Sequence, residues 1–457
     1  MTKCPASSAK DVSEAADAAK AAQPEWAGMS AIERGNVLRK TALILQEKVD
    51  HLAELESRDC GKPIYESRWD ITGVIDVLNY YAGVAPSLLG THVPLSNGNF
   101  VYTIREPFGV AGSIGAWNYP FQIAAWKCVP ALACGNAVVF KPSPLTPYSA
   151  VVFAELLTEA GLPKGLINIV QGEAETGEAL CTHPNISKVS FTGSVSTGQK
   201  IMASCAKRGL RPVTLELGGK SPLVIFQDAD IGNAVKGAML ANFLSQGQVC
   251  SNAARVYVHR TIFQEFTDRV VNRVSKMKIG DPLDEDTTVG ATINEAQLNK
   301  VLEYVQSIKD EGGKILCGGE RVKLSNGKLA SGYYLSPCVA VNVNDEMRAV
   351  KEEIFGPVMT IMPFSDEDEV LQRANNTPFG LAAGVFTRDL QRAHRMASKL
   401  RAGSLFINNY NVMTPDLSFG GFKLSGFGRE MGLAVLSHYT QEKSVYVHME
   451  DKLESPI

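Results

Sequence analysis

Two residues in this sequence are of the right kind to make and break bonds at an electrophilic carbon. Cys250 lies in Gln246-Gly247-Gln248-Val249-Cys250-Ser251-Asn252. Glu216, 34 positions earlier, lies in Leu215-Glu216-Leu217-Gly218-Gly219-Lys220-Ser221-Pro222. A thiol attacks as its thiolate, so it needs a group to take its proton, and a carboxylate can do that or activate a water. Glu216 closes an apolar stretch. The pattern predicts a strand whose last carboxylate emerges beside the flexible Gly218-Gly219 pair, at the sheet edge where open α/β folds bind ligands. Desolvation there raises a carboxyl pKa and suits it to work as a general base. Asn118, in Trp117-Asn118-Tyr119-Pro120, offers a side-chain amide to an oxyanion together with the Cys250 backbone N–H. It can equally close an Asx turn on its own backbone.

These residues need a scaffold, and the hydrophobic rhythm supplies one. Residues 7–83 read as helical, with apolar positions such as Val37, Leu38, Ala42, Leu45, Val49 and Leu52 spaced by three and four. Gly61-Lys62-Pro63 breaks that run. A β-leaning segment at 92–104 carries Asn97-Gly98, a hairpin turn pair. Strand and helix then alternate. Strands are expected at 109–114, 137–141, 166–170, 188–192 and 213–217, and helices at 121–133, 149–160, 173–181 and 198–207. The alternation predicts βαβ units around a parallel sheet of about five strands. A second alternating block runs from Leu223 to about Leu424. Its expected strands include 254–258, 358–362 and 403–407, and its helices 262–276 and 295–311. Residues 444–448 form a last, lone strand whose open edge needs a cover.

At 457 residues the chain exceeds one ordinary core, so two or more domains are expected. Apolar residues at 45% and a net charge of −3 fit a globular protein able to bury large cores, with no basic stripe for nucleic acid. No apolar run approaches the ~18 residues of a membrane helix. Acidic Asp11, Glu14 and Asp17 argue against a mitochondrial leader, and residues 453–457 match no retention or peroxisomal address, which leaves the cytoplasm as the default. Nine cysteines without a C-x-x-C pair argue against a zinc site or a disulfide framework, and no metal is expected. Cys128, Cys134, Cys181, Cys205, Cys317 and Cys338 read as small hydrophobes. There is no G-x-G-x-x-G. Phe191-Thr192-Gly193-Ser194-Val195-Ser196-Thr197-Gly198 instead sits between a predicted strand and helix, where a helix start can offer free N–H groups to a pyrophosphate. The same turn is also ordinary α/β architecture.

Taken together, the segments around Asn118, Glu216 and Cys250 and the run Glu352-Glu353-Ile354-Phe355-Gly356-Pro357 resemble the NAD(P)-dependent aldehyde dehydrogenase superfamily, from about Ser30 to the C-terminus. The resemblance implies an α/β fold of three parts. A Rossmann-like parallel-sheet cofactor domain would span 1–83 and 107–219, a second α/β catalytic domain 220–424, and a small β oligomerisation arm 84–106 and 435–457. It further implies a homotetramer. Cys250 would attack an aldehyde, hydride would leave the thiohemiacetal for NAD, and water would hydrolyse the thioester. Lys127 and Glu430 would relay protons behind Glu216. Gly193, Ser194, Val195, Ser196 and Thr197 would meet the pyrophosphate, with Ala116, Trp117 and Leu217 nearby. Lys141 and Ser143 would reach the adenosine ribose, Glu353 the nicotinamide ribose, and Phe355 would pack beside it. NAD-preferring members often carry an acid where this chain has Pro144, so strict rejection of NADP is not implied. Members usually carry some tens of additional N-terminal residues.

Longer strings, Gly115-Ala116-Trp117-Asn118-Tyr119-Pro120-Phe121-Gln122, Lys141-Pro142-Ser143-Pro144 and Phe406-Ile407-Asn408-Asn409-Tyr410-Asn411-Val412, resemble the aminoaldehyde and betaine-aldehyde branch that feeds carnitine synthesis. The aromatic residues agree with a quaternary ammonium substrate. Such a cation cannot hydrogen-bond and is held by ring faces. Tyr119 and Trp126, seven apart, share a helix side, and Tyr410 and Phe419 are expected to close the cage. The same aromatics would also suit any hydrophobic aldehyde tunnel. Two further readings are a CoA-acylating enzyme, which Glu216 disfavours because thiolysis needs no base, and a catalytically inactive binding relative.

Overall fold

The computed structural model describes residues 4–325, 327 and 329–452. The expectations for the first three residues and for the tail at 453–457 concern positions outside the described residues. Four helices open the chain: α1 (Ala9–Gly28), α2 (Ala31–Glu47), α3 (Val49–Cys60) and α4 (Ile64–Val84). Ser8 with Asp11 and Ser30 with Glu33 form capping boxes that satisfy the free N–H groups of α1 and α2. Gly61, at φ +83°, ends α3 in the left-handed conformation that glycine adopts without a Cβ clash. The hairpin β1 (His92–Pro94) and β2 (Phe100–Pro107) follows, turned at Asn97 and Gly98, both with positive φ.

The alternating block comes next. It runs β3 (Val110–Ile114), α5 (Pro120–Ala133), β4 (Ala137–Lys141), α6 (Tyr148–Glu159), β5 (Ile167–Ile169), α7 (Ala174–Thr182), β6 (Lys188–Thr192), α8 (Val195–Ala206) and β7 (Val213–Glu216). These five strands are parallel and lie in the order β7-β6-β3-β4-β5. The chain steps outward from β3 in one direction and then returns to step outward in the other. The carboxyl ends of β3 and β6 therefore mark the switch point where ligands bind in such sheets.

The second block begins with β8 (Pro222–Ile225), α9 (Ile231–Phe243), β9 (Arg255–His259), α10 (Phe263–Val274), α11 (Glu295–Asp310) and β10 (Lys314–Cys317). A two-stranded ribbon, β11 (Arg321–Val322) with β12 (Tyr334–Leu335), precedes β13 (Cys338–Val341), α12 (Arg348–Lys351), β14 (Val358–Phe364), α13 (Glu367–Asn375), β15 (Ala382–Phe386), α14 (Leu390–Lys399) and β16 (Ser404–Ile407). Seven strands form one sheet in the order β10-β13-β14-β9-β8-β15-β16, parallel except for β10. Each sheet buries its own apolar core: one cluster around the first sheet, and two on the second.

Three expectations need correction. The first sheet has six strands, because β17 (Gly426–Phe427) returns from far along the chain and pairs antiparallel with β7. Val435, Leu436 and Tyr439 then join the first core. The expected helix at 198–207 begins earlier, at Val195, because the Ser194 hydroxyl accepts the Thr197 N–H and caps it. The last strand, β18 (Thr440–Val447), is not alone. It pairs antiparallel with β2 over eight residues, leaving its outer edge open. No helix among the described residues is long and apolar enough to cross a membrane.

Among the opening helices α2 and α4 pack closely. A Cβ on Gly35 would lie 2.5 Å from the Ala82 carbonyl oxygen, whereas a Cβ on Gly83 meets nothing within 4 Å. Gly35→Val should cost about 1–3 kcal/mol by overpacking and lower the apparent midpoint of thermal unfolding. Gly83→Ala should leave it equal or higher. Equal midpoints for Gly35→Val and the parent would contradict this account of the joint.

Candidate active site

The carboxyl ends of β3, β6 and β7 face the second sheet across a cavity of ≈ 1050 Å³. Its walls include Ala116, Trp117, Asn118, Gly193, Ser194, Glu216, Leu217, Cys250, Glu353 and Phe355. Glu216 is the last residue of β7, where its partners in register are Thr192 and Gly426. Its carboxylate is buried and neither oxygen has a hydrogen-bond partner in the protein. Gly420 leaves room for it: a Cβ there would sit 2.7 Å from Oε1. Burial, and then the charge of Glu430, push the Glu216 carboxyl well above the usual range, with Lys127 and Arg429 opposing.

Cys250 sits on a loop of strained backbone. Ser245 and Gln246 hold φ of +47° and +55°, left-handed values that a side chain disfavours. The surrounding structure pins this loop. Ser245 N–H donates to Glu66 at 2.7 Å, and the Gln246 side chain donates to the Gly61 carbonyl at 3.0 Å. Asn118 Nδ2 donates to the Gln248 carbonyl at 3.0 Å, placing its amide two residues from the thiol. Tyr410 Oη donates to the Ser251 carbonyl at 2.7 Å. Burial raises the Cys250 thiol to about 12, with the charges of Glu353 and Glu216 adding to the shift. At neutral pH it is a thiol and needs a base.

Glu353 lies against the Gly218-Gly219 pair and accepts the Gly219 N–H at 3.1 Å. A Cβ on Gly218 would overlap its carboxylate. Phe355, with φ +59°, meets Trp117 edge-on at 5.2 Å between ring centres. Across the cavity, α8 starts at Val195, so the N–H groups of Val195 and Ser196 are first-turn donors free of helical acceptors. Lys127 and Glu430 do meet. Nζ donates to Oε1 at 2.7 Å and to Ser190 Oγ at 2.9 Å, all of it buried.

Other expected site residues fall elsewhere. Lys141, Ser143, Val195, Ser196 and Thr197 do not line the cavity. Lys141 is buried and donates to the Pro142 carbonyl, and Ser143 Oγ accepts the Leu145 N–H in a turn. Tyr410 does not face the cavity either. It is 1% exposed and tilted on Phe406, and its hydroxyl holds the Cys250 loop, so it is no cage wall. Tyr119 lines the cavity, but Lys62 Nζ already sits 3.8 Å from its ring centre. Trp126 and Phe419 do meet there, edge to face at 5.6 Å. Sequence reasoning missed Trp69, Asp70 and Asp76, which α4 brings to the same wall. Trp69 and Asp76, seven apart, share a helix side, and that spacing was the one signal the sequence carried. Among the described residues no cluster of His, Cys, Asp and Glu is arranged to hold a metal.

The chain has counterparts among known proteins. The sequence model of the aldehyde dehydrogenase family matches residues 1–445, and so begins nearer the N-terminus than the expected Ser30. Human 4-trimethylaminobutyraldehyde dehydrogenase is 56% identical over 442 residues, 97% of this chain and 89% of that protein. The Danio rerio 4-trimethylaminobutyraldehyde dehydrogenase A is 54% identical, over 97% of this chain and 87% of its own length. Among solved structures, the NAD+ complex of aldehyde dehydrogenase from Bacillus cereus shares 40% identity at a TM-score of 0.94, over 97% of this chain and 90% of that one. A mutant betaine aldehyde dehydrogenase from Staphylococcus aureus shares 36% at 0.95, over 99% and 91%.

The two carboxylates around Cys250 have a measurable consequence. Each negative charge disfavours the thiolate, so removing one lowers the thiol pKa. Glu353→Gln should therefore raise the rate at which iodoacetamide labels Cys250 at pH 8, by up to about tenfold. Mass spectrometry of the Cys250 peptide reads the rate. A slower or unchanged rate would remove Glu353 from the electrostatics of the thiol.

Proposed function

The chain belongs to the aldehyde dehydrogenase family, and on that premise we propose that it oxidises a cationic ω-aminoaldehyde to the carboxylic acid with NAD. The observation that carries this reading is one cavity that holds a half-buried thiol, an unpartnered buried carboxylate and an amide donor. The substrate class rests on the wall of that cavity. Trp69, Trp126 and Phe419 supply aromatic surface, Asp76 supplies an exposed carboxylate, and no arginine is among the lining residues to clamp a carboxylated aldehyde. An ω-trimethylammonio aldehyde such as 4-trimethylaminobutyraldehyde, the substrate named for the human relative, fits that wall. Betaine aldehyde, named for the Staphylococcus relative, is the second choice.

Glu216 takes the thiol proton, directly or through a water, and Cys250 adds to the aldehyde carbon. Asn118 and the Cys250 backbone N–H hold the oxyanion. Its collapse expels the aldehyde hydrogen as hydride and leaves a thioester on Cys250. Glu216 then activates a water that releases the acid and frees the thiol. Bound in the cavity, NAD would supply the hydride acceptor. The residues present suit it. The first turn of α8 offers N–H donors, Gly193 allows close backbone approach, and Glu353 can accept from ribose hydroxyls. By the family resemblance Lys141 and Ser143, outside the lining of the cavity, would reach the adenosine ribose. Lys127 and Glu430 take up protons behind Glu216.

We assign 1–83 and 107–219 to the cofactor unit, with 426–439 returned to it by β17 and the core residues that follow. Residues 220–424 form the catalytic unit. The arm is 84–106 with β18, and its open edge supports a homotetramer assembled through β18. The cytoplasm is the compartment we propose for it. Carnitine synthesis, implied by the resemblance of the longer sequence strings, is the expected setting.

Cys250→Ala should abolish NADH formation, and Asn118→Ala should lower kcat by roughly 10²–10³. Turnover that survives Cys250→Ala would overturn the mechanism. For the substrate class, kcat/KM across cationic, neutral and anionic aldehydes of equal length decides. The cationic series should lead, and Trp126→Ala should raise its KM more than that of the neutral series. If neutral aldehydes lead, the substrate assignment fails while the dehydrogenase stands. For assembly, removing residues after Lys443 should yield smaller species by sedimentation, and an unchanged mass would refute the arm.

A further inference from the structure

Two of the nine cysteines meet inside the first block. Cys181 is the last but one residue of α7, and Cys205 the last but one of α8. The chain steps the same way from β5 to β6 as from β6 to β7. Right-handed crossovers therefore lay α7 and α8 on one face of the sheet, with their C-terminal ends at the edge opposite the cavity. Leu180 and Cys181 are buried on α7, and Gly198, Ile201 and Cys205, spaced by three and four, on α8. The two thiols are 1% and 2% exposed, free, and in contact with each other.

A third group completes the cluster. Arg211 follows α8 and donates to the His183 carbonyl at 3.0 Å, two residues beyond Cys181. Its guanidinium charge favours the thiolate of both cysteines. Contact between the thiols makes them unlike. The hydrogen bond they share pushes the Cys181 thiol up, together with burial, and pulls the Cys205 thiol below its ordinary range. Burial raises the thiols of Cys60, Cys128, Cys134 and Cys338, which have no such neighbour. A thiol held low beside a second thiol is the arrangement in which one sulfur attacks and the other resolves.

We propose that Cys181 and Cys205 are a modification site: hydrogen peroxide converts them to a reversible disulfide, with Cys205 attacking and Cys181 resolving. The Cys205 sulfur bonds to one peroxide oxygen, the O–O bond breaks, and the thiol proton leaves with the other oxygen as water. The Cys181 sulfur then attacks the resulting sulfenic acid, the S–O bond breaks, and a second water carries away the Cys181 proton. Two thiols lose two electrons in all, and one peroxide is reduced to two waters. Access needs little movement. Each cysteine lies one residue from a helix end, where the last turn frays, and residues 206–210 are exposed. The bond closes a ring of chain that contains β6 and the Gly193-Ser194 turn at the cavity wall. It holds that segment from behind, and neither sulfur lines the cavity itself.

Peptide mapping tests the site in full-length protein carrying Cys250→Ala, which removes the cavity thiol as a rival target. After exposure to hydrogen peroxide, the remaining thiols are alkylated and the protein is digested with trypsin. Cys181 then lies on the peptide 165–188 and Cys205 on 201–207, each with a single cysteine. The two should appear joined, lighter than their sum by two hydrogens, and should separate again with dithiothreitol. The unfolding midpoint should rise by roughly 2–5 °C on oxidation, a gain that Cys205→Ser removes. With dimedone present, Cys181→Ser should trap a sulfenic acid at Cys205, whereas Cys205→Ser should leave Cys181 unlabelled. Absence of the joined peptides from the folded protein, or their formation only in denaturant, overturns the site. Dimedone on Cys181 rather than Cys205 overturns the assigned roles.

Discussion

The carboxylate of Glu216 is buried with no hydrogen-bond partner, and much of the site is arranged around that cost. An isolated buried charge is expensive to keep, so burial biases such a group toward its neutral form. Three charged partners stand within electrostatic reach and act in opposite directions. Glu430 raises the Glu216 carboxyl, and Lys127 and Arg429 lower it. Because Lys127 is itself bonded to Glu430, the two charges largely cancel at Glu216, and burial remains the dominant influence. A base set by burial is sensitive to whatever enters the cavity. Filling the cavity with an apolar substrate dries it further, while a water beside the carboxylate restores it.

The nucleophile obeys the same logic from the other side. Its thiol is raised to about 12 by burial and by two carboxylates, so a freely reactive thiolate is not present at neutral pH. The loop that carries it stores strain at Ser245 and Gln246, and each such residue costs of the order of 1–3 kcal/mol. Bonds from Glu66, Gly61, Asn118 and Tyr410 offset that cost. They arrive from α4, the end of α3, the end of β3 and the segment after β16. Both sheets therefore contribute to the placement of one sulfur atom, and the long helical N-terminus acts as part of the site rather than as padding.

How far the sequence could be read follows from these same forces. In the first block β3 and β4 are fully buried and β6 and β7 nearly so, so they appear as short apolar runs between glycines and helices, and the strand limits were legible to within a residue or two. Two-residue β17 was not, because nothing in Gly426-Phe427 distinguishes a strand from a turn. Its partner, β7, lies some two hundred residues away in sequence. Cys250, Glu216 and Asn118 were legible because their neighbours are as distinctive as they are. Tyr410 was placed wrongly because an aromatic side chain reads alike whether it walls a tunnel or braces the loop behind it. Trp69, Asp70 and Asp76 were invisible for the opposite reason: they sit on an amphipathic helix whose charged face looks solvated until the fold turns it toward the cavity.

Those three residues change how a cation would be held. Tyr119 has a face occupied by Lys62, so it adds little cation–π attraction for a ligand. Asp70 is paired with the same lysine, and that pair presents little net charge to the cavity. What remains is the surface of Trp69, Trp126 and Phe419 and the exposed carboxylate of Asp76. A cation–π contact contributes roughly 0.5–2 kcal/mol, and an exposed charge pair contributes up to about 1 kcal/mol. Together they give about two orders of magnitude at most. A few kcal/mol at the mouth thus ranks aldehydes against one another, but they do not exclude an uncharged one. Exclusion would require an unpaired buried carboxylate at the wall, and the one such group in this site is Glu216, reserved for the chemistry.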